Sequence, residues 1–461
     1  MTSEQNSNQQ VKFTAPTIGG GGRRKWLYPD RRHGVHSKRR QRIAAVLMVV
    51  YLMVPWITVS GKPLLRFDFV DGTMHIMGVV LHFADAVFFA FPLVGLALLL
   101  FFVTSWRGRL WCGYACPQTV FVEWLIRPIE ELLEGNAHHR RLQDQRPLSA
   151  NVFLRKLLKH AIFIILASVV ANAFLCYFIP PMQILTWMTS PPSEHPWAFS
   201  TMTLVTLAFY FDLAWFREQF CSFLCPYARF QSVIMDRNTP VVAYDHARGE
   251  PRGKHAKGSC IDCGLCQRVC PTGIDIRNGL QLECINCNRC SDACDMIMTS
   301  LKRPKGLIRS ASLSDLDGGV AVAIWQRPRL LLYGALMVLA FTIPSLYLGW
   351  LRSDMELNFS RQPGVAFSRL PDGRVANLFN MRSVNNSDAP MRLAFDIEPK
   401  GVEVICGSCG SPVPAHKSAT HSLVVVIPDS LGSIKGVTLY LQNSDLTYFV
   451  PVILPSPAPR S

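Results

Sequence analysis

Residues 260–271 read CIDCGLCQRVCP and residues 284–295 read CINCNRCSDACD, so each contains a C-x2-C-x2-C-x3-C run. Three closely spaced thiolates can wrap one face of an iron–sulfur cubane, while the fourth cysteine points away and ligates the other cluster. On that rule Cys260, Cys263, Cys266 and Cys294 would hold one [4Fe–4S] cluster, and Cys284, Cys287, Cys290 and Cys270 the second. Paired C-x2-C spacings also suit tetrahedral zinc. Two complete four-cysteine runs favour the bacterial-ferredoxin reading. The second run ends in Asp295 where the first has Pro271, which implies a looser shell around one cluster. Gly264 and Gly273 are expected to let backbone N–H groups approach the sulfurs, an influence on reduction potential.

A second thiol pattern occurs twice, as WCGYACPQTVF at Trp111–Phe121 and FCSFLCPYARF at Phe220–Phe230. Cys112 and Cys116, like Cys221 and Cys225, are spaced to share one helix face. The residue before a proline avoids helical geometry, however. Each pair is therefore expected at a helix end, just before a new segment that starts at Pro117 or Pro226. Three chemistries stay open: buried apolar cysteines, a redox disulfide fed by the clusters, and soft-metal binding, because adjacent thiolates favour Cu(I). The two pairs could converge on one site if the segments that carry them pack about a pseudo-two-fold axis.

Those segments are hydrophobic. The chain is 49% apolar and only 17% charged, a balance typical of membrane proteins. Five stretches reach the ~20 apolar residues that a bilayer-crossing helix needs: Ile43–Ser60, Val79–Trp106, Ala161–Pro180, Phe199–Phe216 and Leu330–Trp350. The first follows an arginine-rich arm and lacks a small-residue cleavage site, so it reads as a retained span. Lys plus Arg number 10 in residues 1–42, 9 in 107–159 and 16 in 217–329, against 2 in 61–78 and none in 181–198. The positive-inside rule then puts the N-terminal arm (1–42), the 107–159 loop and the 217–329 segment in the cytoplasm, with the ferredoxin insert at about 250–300. Residues 43–216 would form two hairpins in parallel repeat, each ending inside at a C-x3-C-P motif. A fifth helix at 330–350 would carry residues 351–461 to the periplasm. Topology thus accounts for most of the net charge of +15, and a nucleic-acid role is set aside.

Weaker leads are His82 and Asp85 in the outer half of the second span and Asp212 near the inner end of the fourth, all better suited to interhelical polar contacts than to haem ligation. Cys176 is given no role, and His138 and His139 read as solvated loop residues. Residues 355–455 carry about seven short runs rich in β-branched and aromatic residues, such as SLVVVIP and GVTLYLQ, separated by turn clusters. They suggest an immunoglobulin-like β-sandwich. Its CGSC motif, Cys406 and Cys409, would form a local disulfide or a loose metal site.

Taken in order, the C-x3-C-P hairpins, the α+β dicluster ferredoxin insert, the fifth span and the β-sandwich resemble the FixG/CcoG/RdxA family of cytochrome oxidase accessory proteins. The hairpin and ferredoxin parts are also similar to membrane polyferredoxins of the NapH type, and the sandwich separates the two. The resemblance implies a cupric reductase of the bacterial inner membrane that supplies Cu(I) to a cbb-type oxidase. It implies clusters at the eight ferredoxin cysteines and copper, as substrate or bound ion, at Cys112, Cys116, Cys221 and Cys225. Implied partners are a cytoplasmic electron donor, a copper transporter or chaperone and oxidase assembly components, and a homodimer is compatible with the sequence. The alternatives are a quinol-linked electron-transfer protein and a non-enzymatic assembly scaffold.

Overall fold

In this computed structural model, four helices among the described residues are long and apolar enough to cross a membrane: Ala90–Arg107, Ala150–Leu175, Pro196–Phe216 and Pro328–Leu346. The structure describes residues 17–18, 23–32, 34–59, 61–69, 72–82, 86–147, 149–319, 322–346, 353–362, 367–387, 389–428, 431, 434–441 and 446–453. Few residues of these helices are buried inside the molecule, so their apolar side chains face outward, as lipid-facing helices require.

The boundaries differ from the sequence reading, for local reasons. The first expected span lies on the Val35–Met53 helix, whose opening turns carry Lys38, Arg39, Arg40 and Arg42. Only Ile43–Met53 is uniformly apolar, roughly 16 Å of helix against a hydrocarbon core of about 30 Å. The chain then turns through Val54–Trp56 into a strand at Thr58–Val59. A count of five spans therefore does not follow from helix length, although this helix does run beside Ala150–Leu175, with Tyr51 Oη donating to the Val170 carbonyl at 2.8 Å. The expected second span loses its beginning, because Val79–His82 is the last strand of a three-stranded meander with Thr73–Ile76 and Leu65–Asp68. His82 is thus on a strand and not in a span, and Asp85 lies outside the described residues. The third helix starts earlier, at Ala150 behind a Ser149 cap, and ends at Leu175 ahead of Pro180 and Pro181. The fifth starts at Pro328 beside Ser105, to which Arg327 donates, and passes Gly95 at Phe341, so it runs antiparallel to Ala90–Arg107.

The ferredoxin insert closes further out than 250–300. Val241–Tyr244 pairs antiparallel with Ile308–Ala311, which ties its two ends together. Val242, Tyr244, Ile276, Met298, Leu307 and Ile308 form its core with Cys260 and Cys266. The N-terminal arm is folded onto it as well. Asp292 accepts the Ser37 amide at 2.9 Å and the His36 amide at 3.2 Å, placing a carboxylate at the start of the Val35–Met53 helix. Upstream, the Asp30 amide donates to Arg268 O at 2.9 Å.

Ser345–Ser461 is a separate compact unit. One sheet orders Glu403–Cys406, Ser418–Ile427, Val375–Asn385 and Met355–Arg361, with Ser368–Arg369 on the edge of the third. The other orders Phe395–Glu398, Gly436–Leu441 and Thr447–Pro451. Alternate residues of both sheets (Met355, Leu357, Phe379, Met381, Leu423 and Val425 against Val437, Leu439 and Val450) fill one core, the period-two burial of a sandwich.

Candidate functional site

The two ferredoxin runs have matching backbones. In each, the residues at the second and fourth positions after the first cysteine take left-handed conformations: Asp262 (φ 57°) and Gly264 (φ 65°), then Asn286 (φ 57°) and Asn288 (φ 57°). This alternation curls the chain so that successive thiols face one point. Gly264 suits that conformation, which Asn288 takes at the equivalent place, and is not there for smallness, since a Cβ would meet nothing within 4 Å. Gly273 instead accommodates the N-terminal arm, as its Cβ would lie 2.7 Å from Leu27. Asp295 binds the Gly306 amide at 2.8 Å and so fixes the loop after the Arg289–Ser300 helix.

The thiols sort into two groups. Cys270, Cys284, Cys287 and Cys290 line one cavity, which Cys266 also reaches. Cys294 lies in the field of Cys266, Cys260 and Cys263. Burial pushes the Cys284 and Cys294 thiols up to about 12 and Cys266 up to about 11. Thiols this buried become thiolates by exchanging protons for metal. The surroundings of the second group also fit an anionic cluster. Arg40 is 0% exposed, and its Nη1 and Nη2 have no hydrogen-bond partner among the described residues. It lies in the field of Cys287, as do Arg289 with Cys287 and Cys270, and Arg109 with Cys284. Arg289 is paired with Glu123 at 2.8 Å, but Arg40, with two unpartnered nitrogens buried beside these thiols, is costly unless negative charge sits there. The first group has a more balanced setting, where Arg277 near Cys266 is already paired with Asp275 at 2.7 Å and with Asp262.

Each C-x3-C-P motif has the same local build. Trp111–Ala115 and Phe220–Leu224 are single π-helical turns, closed by Cys116 N to Trp111 O at 2.8 Å and Cys225 N to Phe220 O at 2.9 Å. Cys116 (ψ 125°) and Cys225 (ψ 109°) are extended, and a new helix starts at the following proline in both copies. Proline explains the break: it drives the preceding residue out of the helical region and itself favours the first helical position. The widened turns leave the thiols pointing inward, a frequent use of π-bulges at functional sites.

The two copies converge. Cys112, Cys116, Cys221 and Cys225 all line a single cavity of about 200 Å³. Gln231, fully buried, donates from Nε2 to Cys112 Sγ at 3.2 Å. Burial pushes Cys112 up to about 12 and raises Cys116 and Cys221 as well. Asp212 accepts from Gln118 Nε2 at 3.1 Å, an interhelical polar contact beside this cavity.

The same cavity touches the ferredoxin insert through Thr272, Leu282, Glu283 and Ile285. Gly113, the residue after Cys112, is where the backbones meet. A Cβ there would come within 2.6 Å of Ile285 O and 3.2 Å of Asn286 O, in the loop between Cys284 and Cys287. Ser222 stands at the corresponding place in the second copy. Arg109 clasps the junction, donating to the Leu282 carbonyl and to Cys284 O at 3.2 Å. Glu123, from the segment after Pro117, binds Arg289 at 2.8 Å and also Arg127. Sequence reasoning did not single out Arg109, Gly113 or Gln231. The lone available signal was Gly113, a glycine where the second copy has Ser222.

Cys176 is buried among Leu175 and Ile184. His138 and His139 are exposed on a short helix, Ala137–Gln143, with His139 Nδ1 2.9 Å from Glu134 O. Cys406 and Cys409 form a disulfide in the sandwich.

Comparison with known proteins agrees with this division of the chain. Residues 216–257 and 252–313 match a 4Fe-4S dicluster domain, residues 88–137 a 4Fe-4S binding domain, and residues 345–445 the IG-like fold at the C-terminal of FixG. The nitrogen fixation protein FixG of Rhizobium meliloti is 32% identical over 422 residues, covering 82% of this chain and 80% of that protein. Protein RdxA of Cereibacter sphaeroides is 33% identical over 425 residues, 88% of this chain and 90% of that protein. The ferredoxin-type protein NapH of Haemophilus influenzae is 24% identical over 229 residues, 46% of this chain and 67% of that protein. No solved structure matches the chain.

Proposed function

The chain belongs to the FixG/RdxA family, and from that premise we propose that it delivers single electrons to Cu(II) held by Cys112, Cys116, Cys221 and Cys225. It is a membrane-bound iron–sulfur electron-transfer protein related to the NapH-type ferredoxins. One observation carries the copper reading: four thiols from a duplicated motif line one cavity whose wall is shared with the Cys284–Cys287 loop. Cys260, Cys263, Cys266 and Cys294 would hold one [4Fe–4S] cluster and Cys270, Cys284, Cys287 and Cys290 the other. When bound, such clusters supply one-electron transfer at a potential set by charge, hydrogen bonding and exposure.

The chain's own residues do the rest. Gln231 orients Cys112, Gly113 admits the ferredoxin backbone, and Arg109 holds the two parts in register. The thiols release protons as copper binds, and the softer Cu(I) suits them better than Cu(II), so the product is retained for handover. In this proposal the ferredoxin side faces the cytoplasm and its electron donor, five helices cross the inner membrane, and the sandwich is periplasmic. Cu(I) then passes to a transporter or chaperone and on to a cbb-type oxidase. Anaerobic stopped-flow tests the direction of flow. Cu(II) should reoxidise the reduced clusters rapidly, and a quinol analogue should leave oxidised clusters unreduced; rapid reduction by quinol would instead support NapH-type chemistry.

A second reading is favoured by the 4Fe-4S binding domain match at residues 88–137, which contains Cys112 and Cys116. In it the four converging thiols hold a third cluster. Iron analysis separates the two, because copper thiols leave about eight iron atoms per chain and a third cubane about twelve.

A further inference from the structure

The sandwich holds a second convergence of soft ligands. Cys406, Cys409 and His421 offer one atom each, all within 4.8 Å of one another. Cys406 ends the Glu403–Cys406 strand, and the C-G-S-C loop folds back over the neighbouring Ser418–Ile427 strand that carries His421. Gly407 makes this possible, with its amide donating to Ser422 O at 3.0 Å and a Cβ there falling 2.7 Å from Ser422 Oγ. Cys409 and His421 are buried and Cys406 is half-buried.

The imidazole is held at both nitrogens. Nε2 lies 2.9 Å from the hydroxyl of Ser383, which is 0% exposed, and Nδ1 lies 2.8 Å from Ser408 Oγ, inside the C-G-S-C loop. A purely structural disulfide needs neither the histidine nor its second hydroxyl. A histidine with one ring nitrogen fixed by a buried hydroxyl, and a ring nitrogen within 4.8 Å of two sulfurs, is arranged as metal ligands are, with the outer partner setting tautomer and orientation.

The geometry points to a redox-gated Cu(I) site at Cys406, Cys409 and His421. The disulfide form is closed to metal. A dithiol reductant opens it: two electrons and two protons pass to the Cys406–Cys409 bond, giving two thiols, while the reductant leaves as its own disulfide. One Cu(I) then forms two bonds to sulfur and one to Nδ1, and the two thiol protons go to solvent. Ser408 gives up Nδ1, while Ser383 keeps the proton on Nε2. Two thiolates and one imidazole form a soft, three-ligand set that suits Cu(I), whereas structural zinc takes four protein ligands. The site lies wholly within the sandwich and does not depend on the reading of the other four thiols.

The test uses the full chain in detergent, taken anaerobically through phosphine reduction and desalting, then titrated with Cu(I) against a chromophoric Cu(I) chelator. Reduced wild type should retain about one Cu(I) per chain more than C406S/C409S treated identically, and unreduced wild type should match that variant. S383A and H421N should each weaken this extra Cu(I) by about 10-fold or more, and S408A should not. Mass spectrometry of alkylated peptides, read at Cys406 and Cys409, should show protection by Cu(I) in wild type and loss of protection in H421N. Equal Cu(I) retention by wild type and C406S/C409S overturns the site. So does undiminished affinity in both S383A and H421N.

Discussion

At the scale of single residues, Gly113 and the buried arginines decide how electrons would leave the ferredoxin insert. Gly113→Ala puts a methyl against Ile285 O, a contact 2.6 Å long that a backbone cannot easily relieve. The expected outcome is intact cluster absorbance with Cu(II) reduction slowed about tenfold or more, read by stopped-flow, since small displacements at a reacting junction have large rate effects. Arg289 is 3% exposed and lies in the field of Cys287 and Cys270, so its charge favours the electron-rich state of that group. Arg289→Gln should lower one of the two midpoint potentials by on the order of 50–100 mV in a redox titration and leave the other in place. The cysteines were legible in the sequence because their spacing is local. Arg109 and Gln231 were not, because their meaning comes from partners more than a hundred residues away: Leu282 and Cys284 for the first and Cys112 for the second.

At the scale of elements, the short helix Arg127–Glu134 ties the hairpins together below the membrane helices. Its Glu130 accepts from Arg217 at 2.6 Å and from Arg140 at 2.7 Å, all three side chains being buried. Burial alone would raise the Glu130 carboxyl, but Arg217, with Arg140 and Lys159, pulls it down to about 2. A carboxyl depressed in the folded state stabilises the fold above its unfolded value near 4.3, and that contribution is lost as pH falls through about 2. The effect is roughly 3 kcal/mol at neutral pH. Glu130→Gln should therefore lower the melting temperature of the detergent-solubilised protein at pH 7. The gap between variant and wild type should narrow as pH falls below about 4 and close only as it falls through about 2, and a gap that is constant with pH would contradict this account. Helix interiors were legible from hydropathy, and the break at each Cys-Pro from proline chemistry. The ends were not. The apolar run Val79–Leu81 serves a strand as well as a helix, and the start of Val35–Met53 is tied through the His36 and Ser37 amides to a ferredoxin carboxylate that hydropathy cannot see.

At the scale of the molecule, the first unit has a direction. Cys263 of the first thiol group is exposed, the second group lies among buried arginines, and the four repeat thiols sit beyond Gly113 at the ends of two membrane helices. A donor reaching Cys263 would feed a path toward those thiols. The order of parts was readable from the chain, and so was the sandwich, whose period-two runs fill one core. The convergence of the two hairpins was stated only as a condition in the sequence and became an observation in the fold. The most direct test of the central claim is the Cu(I) formed when anaerobic, fully reduced protein is mixed with excess Cu(II), compared between wild type and the C112S/C116S/C221S/C225S variant. Two one-electron clusters should yield about two Cu(I) per wild-type chain and almost none from the variant, with iron unchanged at about eight per chain in both. Equal Cu(I) from the two proteins, or a loss of about four iron atoms in the variant, would contradict the account.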